Sequence, residues 1–368
     1  MNVLVTGANG FLGKNLVEGL SRFDHVRIHA FHRSDSLAVL ENHLLSADVI
    51  YHLAGVNRPE HEDDYNVNEQ LMDTITAILR KHSKAPKIIY ASTIQALSHN
   101  AYGMSKKAAE DILIQYGMEA LAKIYIFRLP HLFGKWSKPN YNSVVATFCH
   151  NLSRQLDITV SDTDHTIELA YIDDVVNRFL QLLGEDEGPD ATYYDISPIF
   201  AVTLGELANT LRTFNSLRKT GILPRLDDPL TKYLYSTFLS YLDRADFAYE
   251  IKTFQDHRGS LFEVIKSDAA GQIFVSTSYN GVVRGNHYHN TKVEKFCVIK
   301  GKAIVKFRHI FEEAAFAYEL SEEKKVVIDI PPGYTHSIEN VTGEELIVLF
   351  WANEFFQADR PDTYANKV

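Results

Sequence analysis

Met1-Asn2-Val3-Leu4-Val5-Thr6-Gly7-Ala8-Asn9-Gly10-Phe11-Leu12-Gly13 opens the 368-residue chain, and its reading decides the fold of the first two thirds. Residues 3–5 form a short apolar run, as a buried strand does. Gly7, Gly10 and Gly13 follow at intervals of three, and an amphipathic helical pattern runs over residues 12–20. A strand, a glycine turn and a helix start, in that order, let main-chain N–H groups close on a pyrophosphate whose charge the helix N-terminus favours. Gly7, Asn9, Gly10, Phe11 and Leu12 are therefore expected to line a dinucleotide site.

Outward from that turn, apolar runs at 26–31, 49–53, 88–91 and 124–129 alternate with helical patterns at 68–80 and 106–116. Strands alternating with helices predict an α/β architecture, a doubly wound parallel sheet with helices on both faces. The second strand ends in His32-Arg33-Ser34. An acidic residue there would take a ribose 2′-hydroxyl, whereas an arginine accommodates a 2′-phosphate. Arg33 and Ser34 thus point to NADPH rather than NADH. Tyr102-Gly103-Met104-Ser105-Lys106 lies at a helix start, and a spacing of four puts phenol and ammonium on one face. The ammonium is expected to lower the phenol's pKa, so that the phenol exchanges a proton with a carbonyl or alcohol oxygen. Thr93 ends the strand upstream, where its hydroxyl can hold that same oxygen.

These residues carry a resemblance. Residues 1–243 resemble the extended, sugar-nucleotide-modifying branch of the short-chain dehydrogenase/reductase superfamily, a Rossmann-type fold. The matching pieces are Thr6-Gly7-x-x-Gly10-x-x-Gly13, Asp48-Val49-Ile50-Tyr51-His52-Leu53-Ala54-Gly55, Asn66-Val67-Asn68, Ala91-Ser92-Thr93, Tyr102-x-x-x-Lys106, Arg128-Leu129-Pro130 and Tyr171-Ile172-Asp173-Asp174-Val175. The resemblance implies that Asp48 faces the adenine and that Leu53, Ala54 and Gly55 line the cofactor. It implies that Thr93, Tyr102 and Lys106 are the catalytic triad, with Lys106 also on the nicotinamide ribose. The 4,6-dehydratases of that superfamily carry Asp-Glu directly after the threonine; Ile94-Gln95 stands here, which argues against dehydration. An arginine often found before the Tyr-x-Asp-Asp stretch, where it binds nucleotide-sugar phosphates, is missing from residues 162–169; His165 or Lys138 could replace it.

After about residue 242 the text turns short-period, with strand-like runs at 273–276, 295–299, 303–309, 325–329 and 346–351. Arg258-Gly259, Asn280-Gly281, Lys300-Gly301, Pro331-Pro332-Gly333 and Thr342-Gly343 punctuate them. That spacing predicts an all-β barrel or sandwich, hence one domain over 1–244 and a second over 245–368. Two elements stand out: Gly281-x5-His287-Tyr288-His289-x4-Glu294-x6-Gly301 and Pro331-Pro332-Gly333-Tyr334-Thr335-His336-x3-Asn340. Residues two apart on a strand share a face, so His287 and His289 point together. Three imidazoles and a carboxylate form an N/O donor set suited to Zn, Fe, Mn, Ni or Cu.

Together the two elements are similar to the two motifs of the cupin superfamily, which implies a barrel over 247–355 with His287, His289, Glu294 and His336 as metal ligands. A second resemblance overlaps it. Asp256-His257-Arg258-Gly259-Ser260-Leu261-Phe262-Glu263 and Val283-Arg284-Gly285-Asn286-His287-Tyr288 are similar to the dTDP-4-keto-6-deoxyglucose 3,5-epimerases. That family uses the position of His287 as its base, but a metal-bound imidazole has no free lone pair. Arg258, Glu263 and Arg284 would bind or orient substrate, and Tyr288, Tyr334 and Glu263 are the candidates for the proton carrier.

An extended reductase joined to a metal cupin resembles the bifunctional capsular polysaccharide enzymes. The resemblance implies C3 epimerisation, then NADPH-dependent C4 reduction, of UDP-2-acetamido-2,6-dideoxy-β-L-arabino-hex-4-ulose, toward UDP-N-acetyl-L-fucosamine. It also implies Zn2+ in the cupin and a homodimer. One alternative is a single-function NADPH-dependent 4-keto-sugar-nucleotide reductase with a structural barrel. Another is a non-catalytic NADP-binding sensor, which the presence of Thr93, Tyr102 and Lys106 disfavours. With 47 acidic against 37 basic residues and a net charge of −10, the chain is a poor match for nucleic acid or an anionic membrane. No apolar run approaches the ~20 residues that span a bilayer. The amino end lacks the basic start of a signal peptide, and Cys149 and Cys297 are too few for a disulfide framework. A cytoplasmic enzyme is expected.

Overall fold

The apolar runs of the amino-terminal half become the strands Asn2–Thr6, Arg27–Phe31, Val49–His52, Lys87–Thr93 and Ile124–Leu129 in the computed structural model. The structure describes residues 1–58, 61–184, 193–220, 222–251, 253–256, 259–262, 265, 271–354 and 359–368. It divides into two compact units: residues 1–143 with 167–201, and residues 144–166 with 202–368.

In the first unit the strands lie in the order Arg27–Phe31, Asn2–Thr6, Val49–His52, Lys87–Thr93, Ile124–Leu129, Tyr193–Tyr194, every pair parallel. Alternate positions feed opposite faces. Leu4, Ile50, Ile88, Tyr90 and Ile126 pack with Leu40, Met72, Leu79 and Leu113 of the helices Leu37–Ser46, Asn66–Lys81 and Ala101–Ala120. Tyr51 and Phe127 face the other way, onto Phe179 of the helix Ile172–Gln181, with ring centroids 5.9 and 4.9 Å from it. Strands covered on both faces explain why these runs read as continuous rather than alternating. The sheet order reverses direction between Asn2–Thr6 and Val49–His52, and the crevice at the carboxyl ends of strands flanking such a switch is where ligands bind in open α/β sheets. Those ends deliver Gly7, Leu53 and Thr93.

Among the described residues, the second unit contains the helices Val144–Ser153, Leu204–Leu217 and Pro229–Ser240 and ten strands of antiparallel sheet beyond residue 247, besides the hairpin of Thr253–Asp256 with Gly259–Phe262. One sheet runs Ala248–Glu250, Val326–Ile330, Glu294–Lys300, Leu346–Ala352, Gln272–Ser278; the other runs Ala315–Ser321, Lys302–His309, Tyr334–Asn340, Val283–Tyr288, Tyr364–Ala365. These antiparallel sheets are the all-β second half that the spacing predicts, and they are consistent with the cupin-like domain that the resemblance implies. Gly281, Gly301, Gly333 and Gly343 all sit at positive φ (73°, 92°, 79° and 82°), which is why those turns read clearly in the text. The change from helix to strand pattern at 244/245 falls inside this unit. There Arg218, on the turn after the helix Leu204–Leu217, reaches the buried Asp329 of a barrel strand at 2.6 Å. Among the described residues no helix is long and apolar enough to cross a membrane.

Candidate active sites

A cavity of 1130 Å³ in the first unit is lined by Gly7, Asn9, Gly10, Phe11, Leu12, Leu53, Gly55, Thr93, Tyr102 and Lys106. The expected loop and triad thus converge from three strand ends and two helix starts. The loop is built by close packing. A Cβ on Gly13 would lie 2.1 Å from the Gly7 carbonyl oxygen, and one on Gly7 (φ 71°) would lie 2.7 Å from Ala54 N. Ala54 contributes by its main chain, its N–H reaching Thr6 Oγ1 at 3.2 Å. Thr6 Oγ1 also meets His52 Nδ1 at 2.8 Å, and burial, with the Lys106 charge, lowers His52 to about 3, so it stays neutral.

Tyr102 and Lys106 stand on the helix Ala101–Ala120, whose first turn Asn100 caps by accepting the Gly103 N–H at 2.7 Å. Lys106 Nζ donates to the Ala91 carbonyl at 2.7 Å and lies 4.2 Å from the Tyr90 ring centroid. Burial pulls Lys106 down to about 7, against the opposing pull of Glu110 one turn on. Glu110 is itself fully buried, accepting from Arg128 Nε at 3.0 Å and from Ser92 Oγ at 2.5 Å. The expected lowering of the Tyr102 pKa is not what the protein alone produces. Burial, then the phenols of Tyr65 and Tyr141, push Tyr102 up to about 12. A low-dielectric wall and two neighbouring phenols disfavour the phenolate.

Asp48 is not brought to the cavity. It precedes the strand Val49–His52, at the amino end of the sheet, where its carboxylate accepts the Asn2 N–H at 2.7 Å. The strand runs away from it to Leu53, so one end of the motif lines the cavity and the other staples two strands together. Arg33 and Ser34 are exposed just past the second strand, whose Phe31 carbonyl takes the Gly7 N–H at 3.3 Å. Lys138 lines the cavity, whereas His165 is exposed and is not among the lining residues. Asn68, quoted in the motif without a role, is the buried clamp of the site. It accepts the Val56 N–H at 2.7 Å, donates to the Val56 carbonyl at 2.9 Å, and donates to Ser105 Oγ at 3.0 Å. The loop after Leu53 is thereby tied to the helix of Tyr102.

In the second unit one atom from each of His287, His289, Glu294 and His336 lies within 4.8 Å of the others. His287 pairs with His336 across adjacent strands of one sheet, and Glu294 starts a strand of the other sheet, so the cluster sits between the two. A bulge at Gly285 and Asn286, both at positive φ, re-aims His287. Glu294 Oε2 is 3.2 Å from His289 Nε2 and 3.5 Å from His336 Nε2. Burial, with the neighbouring histidines, lowers His287 to about 4, and burial lowers His336; both are then neutral, the form that ligates. Burial opposes ionisation of Glu294, yet its contacts with His289 and His336 hold it below the usual carboxylate range. His289 Nε2 makes no well-formed hydrogen bond; its contact is the Glu294 carboxylate at 3.2 Å. Three imidazole nitrogens and one carboxylate oxygen gathered within 4.8 Å of one another fit a transition metal.

The expected substrate residues fare unevenly. Tyr334 shares the His336 face of its strand, is 8% exposed and has its ring 5.0 Å from that of His309. Tyr288 alternates away from His287 and packs on Tyr364 at 5.4 Å, so it is not brought to the cluster. Arg284 is engaged by Ser278 Oγ at 2.8 Å and the Thr277 carbonyl at 3.1 Å. Arg258 and Glu263 lie outside the described residues.

Comparison with known proteins agrees with this architecture. Residues 3–197 match the NAD dependent epimerase/dehydratase family, and residues 254–364 match the polysaccharide biosynthesis C-terminal domain. The chain is 42% identical to the UDP-2-acetamido-2,6-beta-L-arabino-hexul-4-ose reductase of Pseudomonas aeruginosa, over all of this chain and 99% of that one. It is 42% identical to the capsular polysaccharide assembling protein CapF of Staphylococcus aureus, whose crystal structure it matches over the whole of both chains with a TM-score of 0.68. A UDP-glucose 4-epimerase of Thermus thermophilus, solved with NAD, is 20% identical over 59% of this chain and 84% of that one, with a TM-score of 0.51, and shares the fold. The chain belongs to the NAD dependent epimerase/dehydratase family, and within it to the group that holds CapF and the Pseudomonas hexulose reductase.

Proposed function

We infer that this chain carries out two consecutive steps on one UDP-linked 4-keto sugar, C3 epimerisation at the barrel cluster and C4 reduction in the first unit. The preferred substrate is UDP-2-acetamido-2,6-dideoxy-β-L-arabino-hex-4-ulose, en route to UDP-N-acetyl-L-fucosamine. The observation that carries the reading is the convergence of Thr93, Tyr102 and Lys106 on the same cavity as the glycine loop, in a chain matched end to end by the Pseudomonas reductase. NADPH is the preferred cofactor because Arg33 stands exposed at the end of the second strand. His287, His289, Glu294 and His336 would hold zinc. When bound, NADPH supplies the hydride and zinc supplies a Lewis acid for a carbonyl oxygen.

The residues do the rest. Thr93 and Tyr102 hold the C4 oxygen, and a phenol kept protonated up to about pH 12 can donate to it as the C4–H bond forms. Lys106, in its protonated form, would offset the negative charge left on the phenol oxygen when that proton has gone. Epimerisation removes the C3 proton and returns one to the opposite face. The 4-ketone acidifies that C–H bond, so inversion precedes reduction.

Incubation in D2O with UDP-4-keto-6-deoxy sugars, with and without NADPH, tests both steps by mass spectrometry. Deuterium uptake without NADPH and reduction on its addition are expected. Tyr102→Phe should stop reduction and keep uptake; His289→Ala should stop uptake and release metal. Reduction without prior uptake would leave a single-function reductase, and no turnover with any sugar would favour the sensor.

A further inference from the structure

The carboxyl-terminal residues 359–368 fold back on the loop that joins two of the metal-site residues, and Asp362 makes the contacts. Its main-chain carbonyl lies 2.6 Å from His289 Nδ1, across 73 residues of chain. A carbonyl only accepts, so His289 carries a proton on Nδ1, which leaves Nε2, on the side of Glu294 and His336, as the nitrogen that would ligate. The Asp362 carboxylate accepts the N–H groups of Asn290, Thr291 and Lys292 at 3.1, 2.9 and 2.7 Å and the Thr291 hydroxyl at 3.0 Å. Three successive N–H groups gathered on one carboxylate fix the course of the chain between His289 and Glu294. A φ of 40° lets carbonyl and carboxylate face the same loop. Other contacts anchor the tail separately: Arg308 Nη2 donates to Asn366 Oδ1 at 2.6 Å and to the Lys367 carbonyl at 2.7 Å.

We propose that Asp362 is the positioning residue of the barrel's metal centre. It selects the His289 tautomer that leaves Nε2 free, and it holds residues 290–292 so that His289 and Glu294 converge. The proposal rests on the metal reading above, and it makes metal affinity depend on a residue far outside both histidine motifs.

The test uses the full-length chain, loaded with zinc or cobalt(II), with affinity read by chelator competition and ligand geometry by the cobalt d–d spectrum. Asp362→Ala removes the carboxylate that pins residues 290–292 and keeps the carbonyl itself; the freed loop should slip from that carbonyl, weakening zinc binding by ~10–100-fold and shifting the cobalt bands as an unsupported ligand does. Asp362→Asn keeps one acceptor oxygen and suits the left-handed backbone, so it should fall between the two. Arg308→Ala loosens the tail elsewhere and should keep zinc affinity within about twofold, well short of an outer-sphere loss. Wild-type affinity and spectrum in Asp362→Ala would overturn the proposal, as would an equal loss in Arg308→Ala. If the alanine variant does not fold, wild-type affinity in Asp362→Asn overturns it instead. A wild-type chain that takes up neither metal would overturn the metal reading itself, and this proposal with it.

Discussion

Lys106→Met should make the cofactor-free protein more stable while abolishing reduction. The ammonium is enclosed at 4% exposure, and burial lowers its pKa from an ordinary 10.5 to about 7. At 1.36 kcal/mol per decade, carrying the proton into the folded state costs roughly 5 kcal/mol. Removing the side chain also orphans the Ala91 carbonyl it now serves at 2.7 Å. That forfeits roughly 1–3 kcal/mol, leaving a net gain of about 2–4 kcal/mol at pH 7. The sign with pH follows from which state holds the proton. Below pH 7 both states are protonated and the full cost is present. Between about 7 and 10.5 only the unfolded chain holds the proton, so wild-type stability rises toward the variant's; above 10.5 the cost is gone. Urea unfolding at pH 7, 8, 9 and 10 would measure this. A Trp351→Phe background leaves Trp136, in the first unit, as the remaining tryptophan reporter. A pH-independent difference, or a variant less stable at pH 7, would refute the burial argument.

Other substitutions separate roles that one motif confounds. Gly13→Ala puts a Cβ 2.1 Å from the Gly7 carbonyl and 2.8 Å from Ala8 Cα. It should lower stability by ~1–3 kcal/mol in a thermal melt and abolish cofactor binding. Gly10→Ala meets only Gly7 O, at 3.1 Å, so the melt should hold while NADPH binding by fluorescence titration weakens. Arg33→Ala should raise the KM for NADPH about tenfold, near the ~1.5 kcal/mol of one charge-assisted contact, and leave that for NADH unchanged. Equal effects on both would remove the 2′-phosphate contact. Asp48→Ala should cost ~1 kcal/mol of stability through the lost Asn2 contact and leave the KM for NADPH alone; a raised KM would restore Asp48 to the adenine.

The metal cluster shows a division of labour between strand spacing and packing. His287 and His289 share a face by strand alternation, so their pairing is written locally. Glu294 and His336 join them because the two sheets stack, yet the glycine turn that leads into the His336 strand and the one that ends the Glu294 strand were visible as punctuation. The tyrosines were harder to place. Tyr288 and Tyr334 sit beside ligands in the text, but alternation turns Tyr288 away from His287, onto Tyr364, and leaves Tyr334 on the His336 face.

Residue types and short-range periods alone determined that there would be a parallel sheet with a glycine turn, a Tyr-x-x-x-Lys helix start, and an antiparallel barrel with clustered imidazoles. Those features are set within one strand or one helical turn, by sterics and apolar patterning. Which way Asp48 faces, how far Tyr102 and Lys106 depart from ordinary titration, and that Asp362 braces His289 were decided only by tertiary structure. Each depends on residues tens of positions apart and on how deeply water is excluded, quantities that no local window of sequence contains.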